Sequence, residues 1–378
     1  MSRNEIHSDD GDSDPDIDVQ TPHFRFRAKG RWIVAVAVSL SISILTVVAS
    51  IVWLSATPRE TPLADRHGWS AEAFNTEETA QIVGAMPTFQ IVNEDGIPIV
   101  QDNANSNVRL WDAVLSVYGG HLPNIPQQIG DCVSWAYCHA GEYLICVEMK
   151  TGPPDKEFHR LFPPYIYGIS RVQIGNGKIR GDGSCMAWAC KGGQQFGVLR
   201  SDADDVPPYN GTIARQWGKV GPPKNLIEAT KMYRIGVASS VRSAKEVRDA
   251  ICNGYPVPFG AGGIGFDRVV EKYGRLVGVR AGSWSHAQCV IGYDGSGEEP
   301  LFCLLNSWGP LAAGKSPIDG SPPGSYWITE RDMEFIARQG DAFAISNFDG
   351  FKAREIDFRL THKETKGANH VSSVALAF

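Results

Sequence analysis

The sequence predicts an α+β fold, a helical half followed by a β half, with one transmembrane helix ahead of it. Three observations carry this expectation. Apolar residues recur at helical spacing from Val133 to Met149, and a second helical stretch runs up to Phe196. From about residue 230 the pattern changes to short apolar runs separated by glycine-rich turns, which read as strands. Far upstream, the stretch from Trp32 to Leu54 carries no charge and is rich in Val, Ile, Leu, Ala and Ser.

Composition fits a folded domain with appendages. Apolar content of 43% and charged content of 21% are ordinary for globular protein, and 378 residues suggest two or three structural units. No basic stripe with interleaved aromatics occurs in the folded part, which argues against nucleic-acid binding. No Cys-x-x-Cys or His-x-x-x-His supports zinc, and no cofactor is implied.

Taken in order, residues 1–30 read as a disordered acidic tail, with Asp9, Asp10, Asp12, Asp14, Asp16 and Asp18 crowded together. The tail ends in a basic cluster, Arg25, Arg27, Lys29 and Arg31. Residues 31–56 read as a signal-anchor. The uncharged stretch is long enough to cross about 30 Å of hydrocarbon. Trp32 and Trp53 mark its two ends, and no matching basic cluster follows it. The positive-inside rule then puts the N-terminus in the cytoplasm and the remainder outside, as a single-pass membrane protein. A cleaved signal peptide is the competing reading; the apolar stretch exceeds a usual signal core, and no clear small-x-small site follows. Residues 57–108 read as a stalk without sustained period, with a small hairpin expected from Phe89–Val92 and Ile97–Val100.

The main folded domain is expected over residues 109–347, with 348–378 as a C-terminal tail. A helix from Val133 to Met149 ends at Thr151-Gly152-Pro153-Pro154, and Pro163-Pro164 begins the next unit. Gly181-Asp182-Gly183-Ser184 precedes the helix that Gly197 closes; one reading of this turn is a helix N-cap at Asp182 or Ser184. Strands are expected at Arg234–Val237, Val257–Gly260, Gln288–Tyr293, Leu301–Leu305 and Ser325–Thr329, with a helix at Ala244–Cys252. The loop from Pro310 to Pro323 reads as a lid, a specificity loop or a solvated insertion.

Three short segments carry the chemistry. Gly130-Asp131-Cys132-Val133-Ser134-Trp135-Ala136 sets a thiol just before a helix. Ser285-His286-Ala287 leads into an apolar run, and Asn306-Ser307-Trp308-Gly309 ends another. A thiol, an imidazole and an amide in that order suggest a cysteine hydrolase using Cys132, His286 and Asn306. Each also has a structural reading: a core cysteine, a buried histidine, a turn asparagine.

Over roughly residues 110–346 the chain resembles the papain-like cysteine peptidases, in a divergent, bacterial or viral form. The likeness rests on Pro126-Gln127-Gln128-Ile129-Gly130-Asp131-Cys132, on Ser285-His286-Ala287 running to Gly292-Tyr293, and on Asn306-Ser307-Trp308-Gly309. The resemblance implies a two-lobed fold, a helical lobe carrying the thiol and an antiparallel β lobe carrying His286 and Asn306. It also implies peptide or protein substrates, an oxyanion donor at Gln127 or Gln128, and Trp308 shielding the His–Asn hydrogen bond. Gly181, Asp182 and Gly183 would pair with an extended peptide. The chain departs from the usual pattern in two places. The second Trp-Gly after Asn306 is missing. The register before Trp135 leaves two nucleophile positions open, Cys132 and Ser134. With Ser134 there, the chain would be an inactive binding protein on the same fold. A different Cys-His acyl enzyme, such as a cell-wall amidase, is the third class. Inhibitory propeptides of the family are often longer and more helical than residues 57–108.

Cysteine usage leaves disulfides open. Setting Cys132 aside leaves an odd number of the eight, so at least one more thiol should be free. Asn210-Gly211-Thr212 is a formal glycosylation sequon.

Overall fold

The structure, a computed structural model, describes residues 17–21, 24–28, 66–91, 101–151 and 157–349. The chain divides into two units, Met1–Glu60 and Thr61–Phe378. Within the first, β1 (Ile17–Thr21) pairs antiparallel with β2 (Phe24–Ala28). The sequence predicted an uninterrupted disordered tail here. Instead Ile17 and Val19, and Phe24 and Phe26, alternate with polar residues at the two-residue period of strands. Among the described residues no helix is long and apolar enough to cross a membrane, and Trp32–Leu54 lies outside them.

The second unit is mixed α+β. Its helices are α1 (Ala71–Phe74), α2 (Glu77–Gly84), α3 (Trp111–Tyr118), α4 (Cys132–Thr151), α5 (Pro163–Gly168), α6 (Met186–Phe196), α7 (Gly211–Val220), α8 (Lys224–Ala229), α9 (Ala244–Cys252) and α10 (Glu330–Ala337). A π-helical turn, Ile169–Ile174, continues α5. The strands are β3 (Asn107–Arg109), β4 (Ile235–Ser240), β5 (Val257–Gly262), β6 (Arg268–Lys272), β7 (Arg275–Val279), β8 (Ser285–Asp294), β9 (Leu301–Leu305), β10 (Ser325–Thr329) and β11 (Phe343–Phe348).

The strand β8 organises the β half. Along one edge its first part pairs with β5 and its last part with β3, while β9 covers the other edge. The sheet continues from β9 through β10 to β7 and β6, with β10 and β7 parallel. A smaller sheet joins β4 and β11. The expected strands thus exist, while β6 and β7 add a hairpin that the sequence reading missed. Its turn, Tyr273-Gly274, holds both residues at positive φ, as two-residue hairpins require.

α4 packs against β8 and is buried on every side from Cys132 to Glu148. A helix buried all round has no polar face, which explains why Cys138, His139, Glu142 and Cys146 all lie in the interior. Glu142 is tolerated there because Arg160 and the Leu161 N–H donate to it. All eight cysteines are free and buried, so no disulfide staples the domain.

Residues 66–91 and 101–108 are not a stalk. Trp69, Ala73, Val83, Met86 and Val108 are buried in the main core. Thr79 accepts from the Trp188 indole, and Phe89 donates its N–H to the carbonyl of Ser240, the last residue of β4. The helices are one and two turns long, too short to show a period, and tertiary packing supplies their stability. The expected hairpin at Phe89–Val92 and Ile97–Val100 lies largely outside the described residues. At the other end β11 runs to Phe348, and Asp349 bonds to Arg234, so the folded region extends slightly beyond 347.

Candidate active site

Cys132 opens α4. The Gly130-Asp131 turn leads into it, and the Asp131 carbonyl accepts from the N–H groups of Ser134 and Trp135, as an N-cap residue does. The Ser134 hydroxyl donates to the same carbonyl at 2.7 Å. Ser134 is therefore occupied in closing the first helical turn. The Cys132 thiol instead lies against the backbone N–H groups of Ala287, Gly68 and Val133. Ala287 directly follows His286, so the start of the helix and the start of β8 meet at the sulfur.

His286 is the second residue of β8, opposite Ala261 of β5. Its Nε2 lies 2.8 Å from Asn306 Oδ1, which also accepts from the Ser307 N–H. Asn306 follows β9, the strand beside β8, which explains how residues 20 apart in sequence meet. With Nε2–H donated to Asn306, Nδ1 is left without a hydrogen-bond partner. Trp308 lies over the imidazole at 4.4 Å between ring centroids, and Trp284 meets it edge-on at 5.9 Å. These rings exclude water from the His–Asn bond.

The two glutamines part company. Gln128 is exposed; its Oε1 accepts from the Gly211 N–H and its own N–H donates to Tyr209. It faces the start of α7. Gln127 is buried, and its Oε1 accepts from the Ser307 hydroxyl at 2.5 Å while its N–H donates to the Ser307 carbonyl. Its Nε2 donates to the carbonyls of Ile129 and Arg66.

Arg66 belongs to a segment that sequence reasoning did not connect with the site. Residues 66–70 run across it. The Gly68 carbonyl accepts from the Ser184 N–H, the Ser70 N–H donates to the Ser184 carbonyl, and the Trp69 N–H donates to the Ser285 carbonyl. The bridge between Trp69 and Ser184 is parallel. Gly68 passes so close to Gly130 that any side chain on it would collide with the Gly130 carbonyl. The His67 ring stacks on Trp308 at 5.6 Å and lies 5.9 Å from His286. The only hint in the sequence was a glycine between two ring-bearing residues in a region otherwise poor in both.

The glycine-rich turn splits as well. Gly183, at φ 117°, and Ser184 face the segment; the carbonyls of Gly181 and Gly183 are held by Arg171. Asp182 accepts from the Gly130 N–H and from Arg215, so it ties the turn to the thiol loop. Neither Asp182 nor Ser184 caps α6, contrary to the N-cap reading of the sequence. The cap comes from Asp341, whose carboxylate accepts from the N–H groups of Met186 and Ala187. Likewise the Asn210 side chain of the sequon caps α7 by accepting from Ile213.

Burial sets the protonation states. It pushes the Cys132 thiol up to about 12, with the Asp131 carboxyl adding to the rise and the three N–H groups opposing it. It pushes His286 down to about 3, against the hydrogen bond to Asn306. Thiol and imidazole are therefore both neutral in this closed arrangement. Asp131, fully buried beside the thiol, is raised to about 8 by burial, against a hydrogen bond from the Tyr209 hydroxyl. Among the described residues no cluster of His, Cys, Asp or Glu could hold a metal ion.

No family model and no curated protein matches the chain. Among solved structures the chain is similar to papain-like cysteine proteases. Xylellain, a cysteine protease from Xylella fastidiosa, is 16% identical and covers 77% of this chain and 99% of its own, at a TM-score of 0.46. Digestive procathepsin L 3 of the Tenebrio molitor larval midgut is 14% identical, covering 75% and 83%, at 0.42. Procathepsin B S9 from Trypanosoma congolense is 11% identical, covering 73% and 91%, at 0.43. Likenesses of this size stand beside the side-chain geometry and add no weight to it.

Proposed function

We propose that this protein is a cysteine-type peptidase whose cleft is closed by its own residues 66–70. The observation that carries the reading is a helix-opening thiol set against the backbone N–H of Ala287, next to His286, whose Nε2 is fixed by an asparagine and whose Nδ1 is unpartnered.

The chemistry follows from these groups once the segment leaves. Water and substrate then replace the closing backbone, and the desolvation that holds both groups neutral is relieved. Cys132 passes its proton to His286 Nδ1, and the N-terminus of α4 stabilises the thiolate. The sulfur adds to a peptide carbonyl carbon. The developing oxyanion takes hydrogen bonds from Gln127 Nε2 and the Cys132 N–H; losing one such donor typically costs about 100- to 1,000-fold in rate. His286 returns the proton to the leaving amine as the C–N bond breaks. His286 then deprotonates a water that attacks the thioester, which releases the acid and regenerates the thiol. Asn306 keeps the ring oriented throughout, and Ser307 holds Gln127.

The anchor reading belongs to the same proposal. It is supported by the uncharged Trp32–Leu54 segment and the basic residues before it. A reporter joined after Phe378 should be active only outside the cytoplasm, and activity inside would end that part.

The decisive test is covalent. An epoxide or vinyl-sulfone peptide probe should label Cys132 once the segment is displaced, and the labelled protein should lose hydrolysis of a casein-type substrate. Labelling elsewhere, or no hydrolysis by a protein with an accessible thiol, would remove the peptidase reading and favour a binding protein.

A further inference from the structure

The Trp69 indole fills a slot that nothing else in the chain explains. Trp69 is 8% exposed, although it comes from a short connecting segment. Gly260 and Gly262 of β5 form one wall, and a side chain on Gly260 would collide with the indole. Phe74 closes the slot at 6.1 Å between ring centroids. At its end the indole N–H donates to Asp341 Oδ2 at 2.7 Å. Asp341 is completely buried; its Oδ2 also accepts from the Met186 N–H and its Oδ1 from the Ala187 N–H, the first two of α6.

The backbone around the slot is that of a peptide-binding edge. Ser184 offers both its N–H and its carbonyl on one side, and Ser285 offers its carbonyl on the other, one residue before His286. Any extended chain can use these groups, because they read no side chain. The slot is where a side chain is read.

We propose that this slot is a side-chain recognition pocket of the cleft, and that the ligand it selects when residues 66–70 leave is a tryptophan of a peptide chain. The inference rests on the peptide-binding reading of the cleft given above. The shape argues for a flat ring, since the wall is two glycines. The end of the slot argues for an N–H donor, since a phenyl or leucyl side chain would take one of the two donors from the buried Asp341 Oδ2 and leave it only the Met186 N–H. A lysine would leave the flat slot unfilled and bring a full charge to a carboxylate already compensated by a helix N-terminus. The chain's own Trp69 is thus a competitor of the substrate as well as a plug.

The test removes the plug. In the full-length chain, Trp69→Ala should bind N-acetyl-tryptophanamide in calorimetry, roughly 10- to 100-fold more tightly than its 1-methylindole analogue or N-acetyl-phenylalaninamide, the range expected of one hydrogen bond to a charged group. The unaltered chain should bind none of them in this slot. Trp69→Ala with Asp341→Asn should lose the discrimination. Equal binding of the methylated analogue overturns the proposal. If Trp69→Ala does not fold, Trp69→Phe keeps the ring and removes only the donor. It should speed alkylation of Cys132 by iodoacetamide about tenfold, and an unchanged rate overturns the proposal equally. With peptides, a tryptophan within one or two residues of the cut bond should be favoured over phenylalanine or leucine; no preference is a negative result. A protein that binds the indole probe as described but cuts no peptide retains the pocket and loses the peptidase reading.

Discussion

The side-chain amide of Gln127 donates to the carbonyl oxygen of Arg66 at 2.8 Å, across 61 positions of sequence. The donor that an oxyanion would need is thus already bonded to the chain's own backbone. The same short segment lays Gly68 on the thiol and His67 over Trp308. In the proposed mechanism, latency and chemistry draw on one set of groups.

Gly68 is the place to separate them. A side chain there meets the Gly130 carbonyl, which cannot move without disturbing the turn before Cys132. Gly68→Val should expel the segment while leaving every proposed reacting group in place. Overpacking of this kind costs about 1–3 kcal/mol, so iodoacetamide should alkylate Cys132 about tenfold faster or more. The pH for half-maximal alkylation should also fall well below its value in the unaltered chain, because the thiol is no longer sealed from water. Identical rates and pH profiles would show that residues 66–70 do not close the site.

Ser134 and Cys132 compete for the nucleophile position in the sequence; in space the Ser134 hydroxyl bonds to the Asp131 carbonyl and the Cys132 thiol lies against Ala287 and Gly68. Ser134→Ala removes a hydroxyl that bonds to the Asp131 carbonyl, which should cost about 1 kcal/mol of stability and leave probe labelling intact. Cys132→Ala should abolish labelling and hydrolysis. Full labelling of the Cys132→Ala protein would reverse the assignment.

His286 and Asn306 should behave as one unit. His286→Ala removes the proton carrier and nearly all activity. Asn306→Ala leaves a remnant, because asparagine only holds the ring, and the double variant should match His286→Ala alone. If Asn306 merely closed the turn after β9, its loss would lower the melting temperature and leave turnover per active site unchanged. Titrating active sites alongside the melt distinguishes the two.

Asp131 gives a stability signature. Its pKa is raised from an ordinary carboxylate to about 8 in the folded chain, by burial. Between about pH 4 and pH 8 the unfolded chain has lost this proton while the folded chain keeps it, so stability falls as pH rises through that window. The slope is at most about 1.4 kcal/mol per pH unit. Asp131→Asn should flatten it, and the variant should gain on the parent with rising pH. Parallel melting curves for the two proteins across pH 5–8 would refute the buried, protonated carboxyl.

Much of the molecule was legible because its signals are local. A helix of helical period opens at a thiol, and apolar runs at Leu301–Leu305 and Ser325–Thr329 become adjacent strands. Cys132, His286 and Asn306 could be picked out as candidates because each stands at an element boundary, where a helix or strand begins or ends. Sequence periodicity marks such boundaries directly.

What only the tertiary structure decided depends on partners far apart in sequence. The burial of Gln127 beside Ser307 and the exposure of Gln128 beside Gly211 rest on such partners. The cap of α6 is Asp341, 155 positions from Met186, rather than the neighbouring Asp182 or Ser184. Residues 66–91 looked like a stalk because their helices are one or two turns long. Their order comes from the Trp69 slot, the Thr79–Trp188 bond and the edge at Ser240. The sequence by itself determined the residue types and the α-then-β order, since hydrophobic period and capping act within a few residues. The closed cleft was decided by packing and by buried hydrogen bonds, whose strength depends on the exclusion of water by residues that no local pattern brings together.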